Sequence, residues 1–196
     1  MRKVSISNAA IIFSNDVKDI NEYLTFCNKT FYEKELYLSN SYEYAIIALY
    51  KAFEKFIYKT IVGCINHDNT TVTDTYGVNF GRHTNDDMCE FIITKGGYFD
   101  FKDREGLIKV LRQNIGGTYG IVGIVKKADY TDTLKRLCAL RNYAAHTSQQ
   151  AKVKASQAYG LKRIATAGSH LKSQKRFNEI AESLLKLSDE IKQTCQ

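Results

Sequence analysis

Residues 41–61 read SYEYAIIALYKAFEKFIYKTI. Lys51, Lys55 and Lys59 recur every four residues and therefore share one water-facing stripe of a helix. Ala45, Ile46, Leu49, Phe53, Phe56, Ile57 and Ile61 cover a wide arc of the remaining surface, which makes this helix the expected centre of the core. Asn40, followed three residues later by Glu43, resembles a capping arrangement and places the helix start near Asn40.

Working outward, Ile20, Tyr23, Leu24, Cys27 and Phe31 predict an earlier helix over about Asp16–Tyr37. Thr70 to Phe80 alternates like a strand or hairpin arm, and Gly77, Gly81, Gly96 and Gly97 punctuate the stretch between His67 and Phe101. An irregular insertion over about 66–101 is expected between helices. Leu107, Ile108, Leu111 and Ile115 predict a helix over Asp103–Asn114, stopped by Gly116 and Gly117. Another should start near Thr131 and run past His146 to Ala158. A last one over Ser173–Gln193 carries Phe177, Ile180, Leu184, Leu187 and Ile191 three and four apart, a seam for packing. The fold class predicted is all-α: an antiparallel bundle of four to five helices forming one domain over 1–196, its core within about 40–193.

Composition agrees with a globular domain. The chain has 196 residues, 44 % hydrophobic and 25 % charged, and no proline to interrupt helices. No apolar run reaches the roughly 18–20 residues of a membrane span. The cysteines (Cys27, Cys64, Cys89, Cys138, Cys195) are odd in number and form no CxxC pair, so reduced thiols and a cytoplasmic location are expected. Charge is unevenly spread. Between Lys126 and Arg176 twelve Lys and Arg face only Asp129 and Asp132, a surplus of ten; the whole chain is +7, so the remainder is −3. Such polarity suits a polyanion partner or a solvated face. Lys135, Arg136, Lys152, Lys154, Lys162, Arg163 and Lys172 are the candidate RNA-binding cations.

Within that stretch, 134–146 read LKRLCALRNYAAH. Leu134, Leu137, Cys138, Ala144 and Ala145 fall on one helical face, and Arg141 projects from its middle. An arginine there needs a carboxylate partner, an interface or an anionic ligand. Asn142 and His146 stack one turn apart. Arginine forks onto phosphate oxygens, histidine exchanges protons near neutral pH, and asparagine can orient either. Together they suit cleavage of a phosphodiester by the RNA's own 2′-hydroxyl.

Arg141-Asn142-Tyr143-Ala144-Ala145-His146 resembles the R-x4-6-H motif of HEPN domains, and the likeness extends in outline over Asn40–Gln193. The resemblance implies a metal-independent endoribonuclease without cofactors. It also implies a homodimer whose facing motif helices build one composite site, and a toxin or antiviral-defence setting with a cognate antitoxin or defence partner. It makes Arg141 and His146 catalytic, with Asn142 in support. HEPN toxins silenced by a partner nucleotidyltransferase carry Tyr two residues after the His; here Ser148 stands there, so that mode of control is not expected. Some HEPN domains only bind or dimerise, and a non-catalytic module binding nucleic acid or protein through the basic segment is the alternative.

Other candidates have simpler readings. Cys64, His67, His83 and Cys89 number enough for zinc, but their spacing fits core thiols and surface histidines better. His170, near Lys162, Arg163 and Lys172, could touch phosphate or be an ordinary exposed side chain. Gly116-Gly117-Thr118-Tyr119-Gly120 lacks the Lys-Ser/Thr of a phosphate loop. Glu43 and Glu54 are candidates to pair with Arg141 or to tune His146, on fold analogy alone.

Overall fold

The computed structural model of the protein describes residues 4–77, 85–117 and 119–195. Over these it contains ten α-helices: α1 (Ile6–Thr30), α2 (Glu35–His67), α3 (Thr70–Tyr76), α4 (Asp86–Thr94), α5 (Arg104–Ile115), α6 (Ile121–Lys126), α7 (Thr131–His146), α8 (Gln149–Ala158), α9 (Ala167–Lys172) and α10 (Arg176–Thr194). The described residues form no strand. Five helices are twelve residues or longer (α1, α2, α5, α7 and α10), and the rest are short connectors.

Side-chain pairs fix how the long helices run. Phe13 meets Phe53 and Phe56, Tyr23 meets Tyr44, and Asn28 donates to the Tyr42 hydroxyl at 3.1 Å. Numbers rise on α1 as they fall on α2, so the two are antiparallel. Tyr42 packs on Phe177 while Cys64 lies near Cys195, which makes α10 parallel to α2. Thr133 donates to Ser183 at 2.8 Å and Lys127 to Glu190 at 2.7 Å, so α7 runs against α10 and hence against α2. Central α2 buries Ala45, Ile46, Leu49, Phe53, Phe56, Ile57 and Ile61, with Lys51 and Lys55 in water. The α10 seam is wholly buried, as are the four apolar residues of α5.

Several boundaries differ from expectation. Ser5 caps α1 by accepting from the Asn8 amide at 3.3 Å, so the helix starts well before Asp16. Its first turns bury Ala9, Ala10 and Phe13 against α2. It stops at Thr30, and α2 opens at Glu35 rather than Asn40. The strand-like Thr70–Phe80 run is helix α3 over its first seven residues, while Phe80 lies outside the described residues. Asp68 Oδ1 accepts from the Thr70 amide at 3.0 Å, buried Val72 anchors α3 against the core, and Gly77 ends it in the left-handed region. Tertiary packing there overrides β propensity. The expected irregular insertion therefore holds α3 and α4.

The continuous helix expected through Ala158 breaks directly after His146. Thr147 sits at φ 32°, and Ser148 begins α8 by accepting from the Ala151 amide at 3.2 Å. A β-branched residue at positive φ is strained, at a cost of about 1–3 kcal/mol. That turn swings α8 back alongside α7 and closes one wall of a groove.

Candidate functional site

The groove has a volume of about 890 Å³ and two unlike walls. α7 and α8 contribute Lys135, Arg141, Asn142, His146, Gln150, Lys154 and Gln157, with three cations and no acid. Facing them, residues 100–105 contribute Asp100, Asp103 and Glu105 against Lys102 and Arg104. Arg104 donates to the carbonyls of Val125 (3.2 Å) and Lys126 (2.8 Å), closing the last turn of α6. Asp103 caps α5 by accepting from the Gly106 amide at 2.7 Å.

Arg141 is half-buried at the meeting of α7, α2 and the Asp100 segment. Its guanidinium lies 3.8 Å above the centre of the Tyr50 ring, and Nη1 donates to Asn142 Oδ1 at 2.8 Å. Nη2 reaches Asp100 Oδ1 at 3.5 Å, while Nε is buried without a hydrogen-bond partner. A partly exposed ion pair at that distance contributes roughly 0–1 kcal/mol, and a desolvated cation–π stack about 2. Tyr50 and Asn142 thus orient the arginine more than Asp100 does. Asp100 also accepts from the Tyr50 hydroxyl (2.9 Å) and the Lys102 amide (3.0 Å). Burial works against its charge, but Lys102, Tyr50 and Arg141 outweigh this and hold its carboxyl below the ordinary range. Burial, with Asp100 nearby, pushes the Glu54 carboxyl up to about 7 against the pull of Arg141 and Tyr50. Cys138, on the groove floor, is pushed by burial up to about 12, so its thiol stays protonated.

His146 is exposed at the rim, the last residue of α7 before the Thr147 break. Arg141, Asn142 and His146 therefore border one groove, although five residues on a helix separate the outer two by about 140°. The core-facing side of α7 is Leu134, Leu137, Leu140 and Tyr143, with Ala145 exposed. On the stripe that contains Arg141, Leu134, Leu137 and Cys138 are buried, and from Arg141 onward it turns to the groove edge, with Ala144 half-buried.

The basic residues divide. Lys135 and Lys154 line the groove, but Lys152, Arg136, Lys162, Arg163 and Lys172 do not. Arg136 pairs with Asp132 at 3.1 Å and stacks over Tyr159 at 4.6 Å; Lys172 is bridged to Glu35; Lys162 and Arg163 are exposed between α8 and α9. His170, expected as an exposed side chain, is 8 % exposed and packed beneath Tyr159. Glu43 accepts from the Gly168 amide at 3.2 Å instead of pairing with Arg141. Cys89 donates to Asn66 Oδ1 at 3.4 Å, and Cys64 is buried near Cys195. Of the suggested zinc ligands, His83 lies outside the described residues; among those described, no three His, Cys, Asp or Glu residues gather around a metal position.

Tyr50 and Asp100 escaped sequence reading. Asp100 lies 41 residues from Arg141, beyond any local pattern. Tyr50 carried one usable signal: a buried tyrosine on α2 needs a partner for its hydroxyl. No helix among the described residues is long and apolar enough to cross a membrane. No protein-family model, curated protein or solved structure matches the chain.

Proposed function

We propose that this chain is a metal-independent endoribonuclease of the HEPN type. The observation that carries the reading is the shared groove, in which Arg141, Asn142 and His146 border one channel with Lys135 and Lys154 on the same wall. In this mechanism the 2′-hydroxyl of the bound RNA attacks the adjacent phosphorus. The new 2′-O–P bond forms as the P–O5′ bond breaks, leaving a 2′,3′-cyclic phosphate and a 5′-hydroxyl. Arg141 forks onto the non-bridging oxygens as negative charge grows on them, and Asn142 holds its Nη1 edge. His146 exchanges the proton at one of the two reacting oxygens. A second copy of the chain, set against the first across the groove, supplies the other proton-transfer group.

The contact of Arg141 with Asp100 favours a second reading, a non-catalytic module that binds nucleic acid or protein. Labelled RNA incubated with the purified protein in EDTA separates the two. Cleavage that vanishes in Arg141→Ala and His146→Ala, with helicity intact, supports the enzyme. Salt-sensitive binding without cleavage supports the module.

A further inference from the structure

Away from the groove, Tyr159 and His170 meet edge to face with ring centroids 4.2 Å apart. Two arginines flank them. Arg136 of α7 stacks over the Tyr159 ring; Arg176, opening α10, donates from Nη1 to the His170 carbonyl oxygen at 3.1 Å and faces His170 Nδ1 at 3.5 Å. A guanidinium has no lone pair to offer, so at that contact the imidazole accepts. The neutral ring then carries its proton on Nε2, which is buried and has no hydrogen-bond partner. The Tyr159 hydroxyl is buried in the same condition. Burial, reinforced by Arg176 and Arg136, lowers His170 to about 4, so the ring is neutral at physiological pH.

Two donors of the cluster lack acceptors, the imidazole N–H and the phenol O–H, while Arg136 already donates to Asp132 (3.1 Å) and to the Ala158 carbonyl (3.4 Å). Two acids are near: Asp132 pairs with Arg136, and Glu179, exposed one turn along α10 from Arg176, is close enough for its charge to act on Tyr159 but takes no hydrogen bond from it. Buried donors need acceptors, and two cations favour a negatively charged one. The Gln174 carboxamide oxygen already accepts from Arg176 Nη2. Gln174 and Lys175 hold successive left-handed conformations (φ 55° and 56°), a costly arrangement for non-glycine residues of the kind found at ligand clamps.

We propose that Tyr159, His170, Arg136 and Arg176 form a second site, separate from the groove, that binds a phosphate oxyanion. The ligand displaces the exposed Gln174 carboxamide from Arg176 and takes hydrogen bonds from His170 Nε2 and the Tyr159 hydroxyl. Exposed Lys162, Arg163 and Lys175, close in sequence to these residues, add positive charge at the approach. This inference does not rest on the ribonuclease reading.

The test follows the His170 imidazole by NMR, together with the melting temperature, as potassium phosphate replaces potassium chloride at constant ionic strength. Phosphate should raise the His170 titration midpoint by about one pH unit or more, because an anion favours the protonated ring. It should also raise Tm by a few degrees at about ten times Kd. Arg176→Gln should weaken the response at least tenfold, and Arg176→Lys, which keeps the charge but loses the fork, should weaken it less. Short RNAs with and without a 5′-phosphate then identify the source. A response to inorganic phosphate and the phosphorylated RNA alone assigns a phosphomonoester, whereas equal responses to both RNAs assign the backbone phosphodiester. Identical behaviour in phosphate and chloride, with no response to either RNA, overturns the proposal. His146→Ala should leave the phosphate response intact, so the two readings fail separately.

Discussion

His146 and His170 lie in the same basic stretch, yet the fold treats them oppositely. His146 stands exposed on the rim of the groove that Arg141 also borders. His170 is buried against Tyr159 and Arg176 and stays neutral. Residue type and local charge are nearly the same for both; the difference comes from the helices around them. α9 is drawn so close to α2 that a Cβ on Gly168 would lie 1.8 Å from the Ser39 carbonyl oxygen. Tyr159 and Arg176 cover the α9 histidine, whereas the last turn of α7 projects beyond the core.

The largest expected effect tests the functional half of this contrast. His146→Ala should reduce RNA cleavage by about 10²–10⁴-fold with Tm unchanged, the range for loss of a general acid or base. Arg141→Ala should lower the rate at least as far. A His170→Ala protein should instead melt earlier and keep its rate per folded molecule. An exchange of these two phenotypes would reverse the roles of the histidines.

The next effect is on stability against pH. The folded His170 titrates near 4 and the unfolded one near 6.5, so between those values the unfolded chain binds more protons. The contribution of His170 is complete above about pH 6.5 and is lost as pH falls toward 4, about 3 kcal/mol at most. Glu54 has the opposite slope. Its folded carboxyl, near 7 rather than 4.5, makes the native state less stable as pH rises through that interval. Because Glu54 is partly exposed, screening reduces this to about 1 kcal/mol. Urea melts at pH 4.5, 5.5, 6.5 and 7.5 should show the two slopes partly cancelling in the natural chain. His170→Gln should remove the acid-side loss, and Glu54→Gln the smaller neutral-side one. Parallel curves for all three proteins would contradict both assignments.

The smallest effect concerns the hinge between the regions. Thr147→Asn, which tolerates φ 32° better, should raise stability by about 1 kcal/mol or less in denaturant unfolding and leave the groove unchanged. A loss of stability would show that the threonine side chain supports the break.

The parts of the fold legible in sequence were those whose periodicity answers to burial. The exposed Lys51 and Lys55, the α10 seam and the α5 face follow helical spacing because those stretches pack one side against the core, whereas Lys59 is half-buried and residues 60–66 of α2 are buried all round. The first turns of α1 were hidden by Ser and Asn at solvent positions, although Ala9, Ala10 and Phe13 kept the helical repeat. Residues 70–76 are rich in β-branched side chains, but packing of Val72 outweighed that preference. At the site, Arg141 was conspicuous as a charge in an apolar pattern. Its partners were not, since Tyr50 and Asp100 reach it only through tertiary contact. Burial of His170 likewise depends on Tyr159 and Arg176 closing over it, which no spacing within 167–172 reveals.

One consequence concerns the phase of α2. Near one end, Ser39 bonds to Thr166 and Glu43 accepts from Gly168, holding α9 in place. Two turns further on, the same rod presents Tyr50 to Arg141. A single residue inserted between Glu43 and Tyr50 would rotate one end against the other by about 100°. Seven inserted residues would restore the angle but lengthen the rod by about 10.5 Å, so no insertion there should keep both grips.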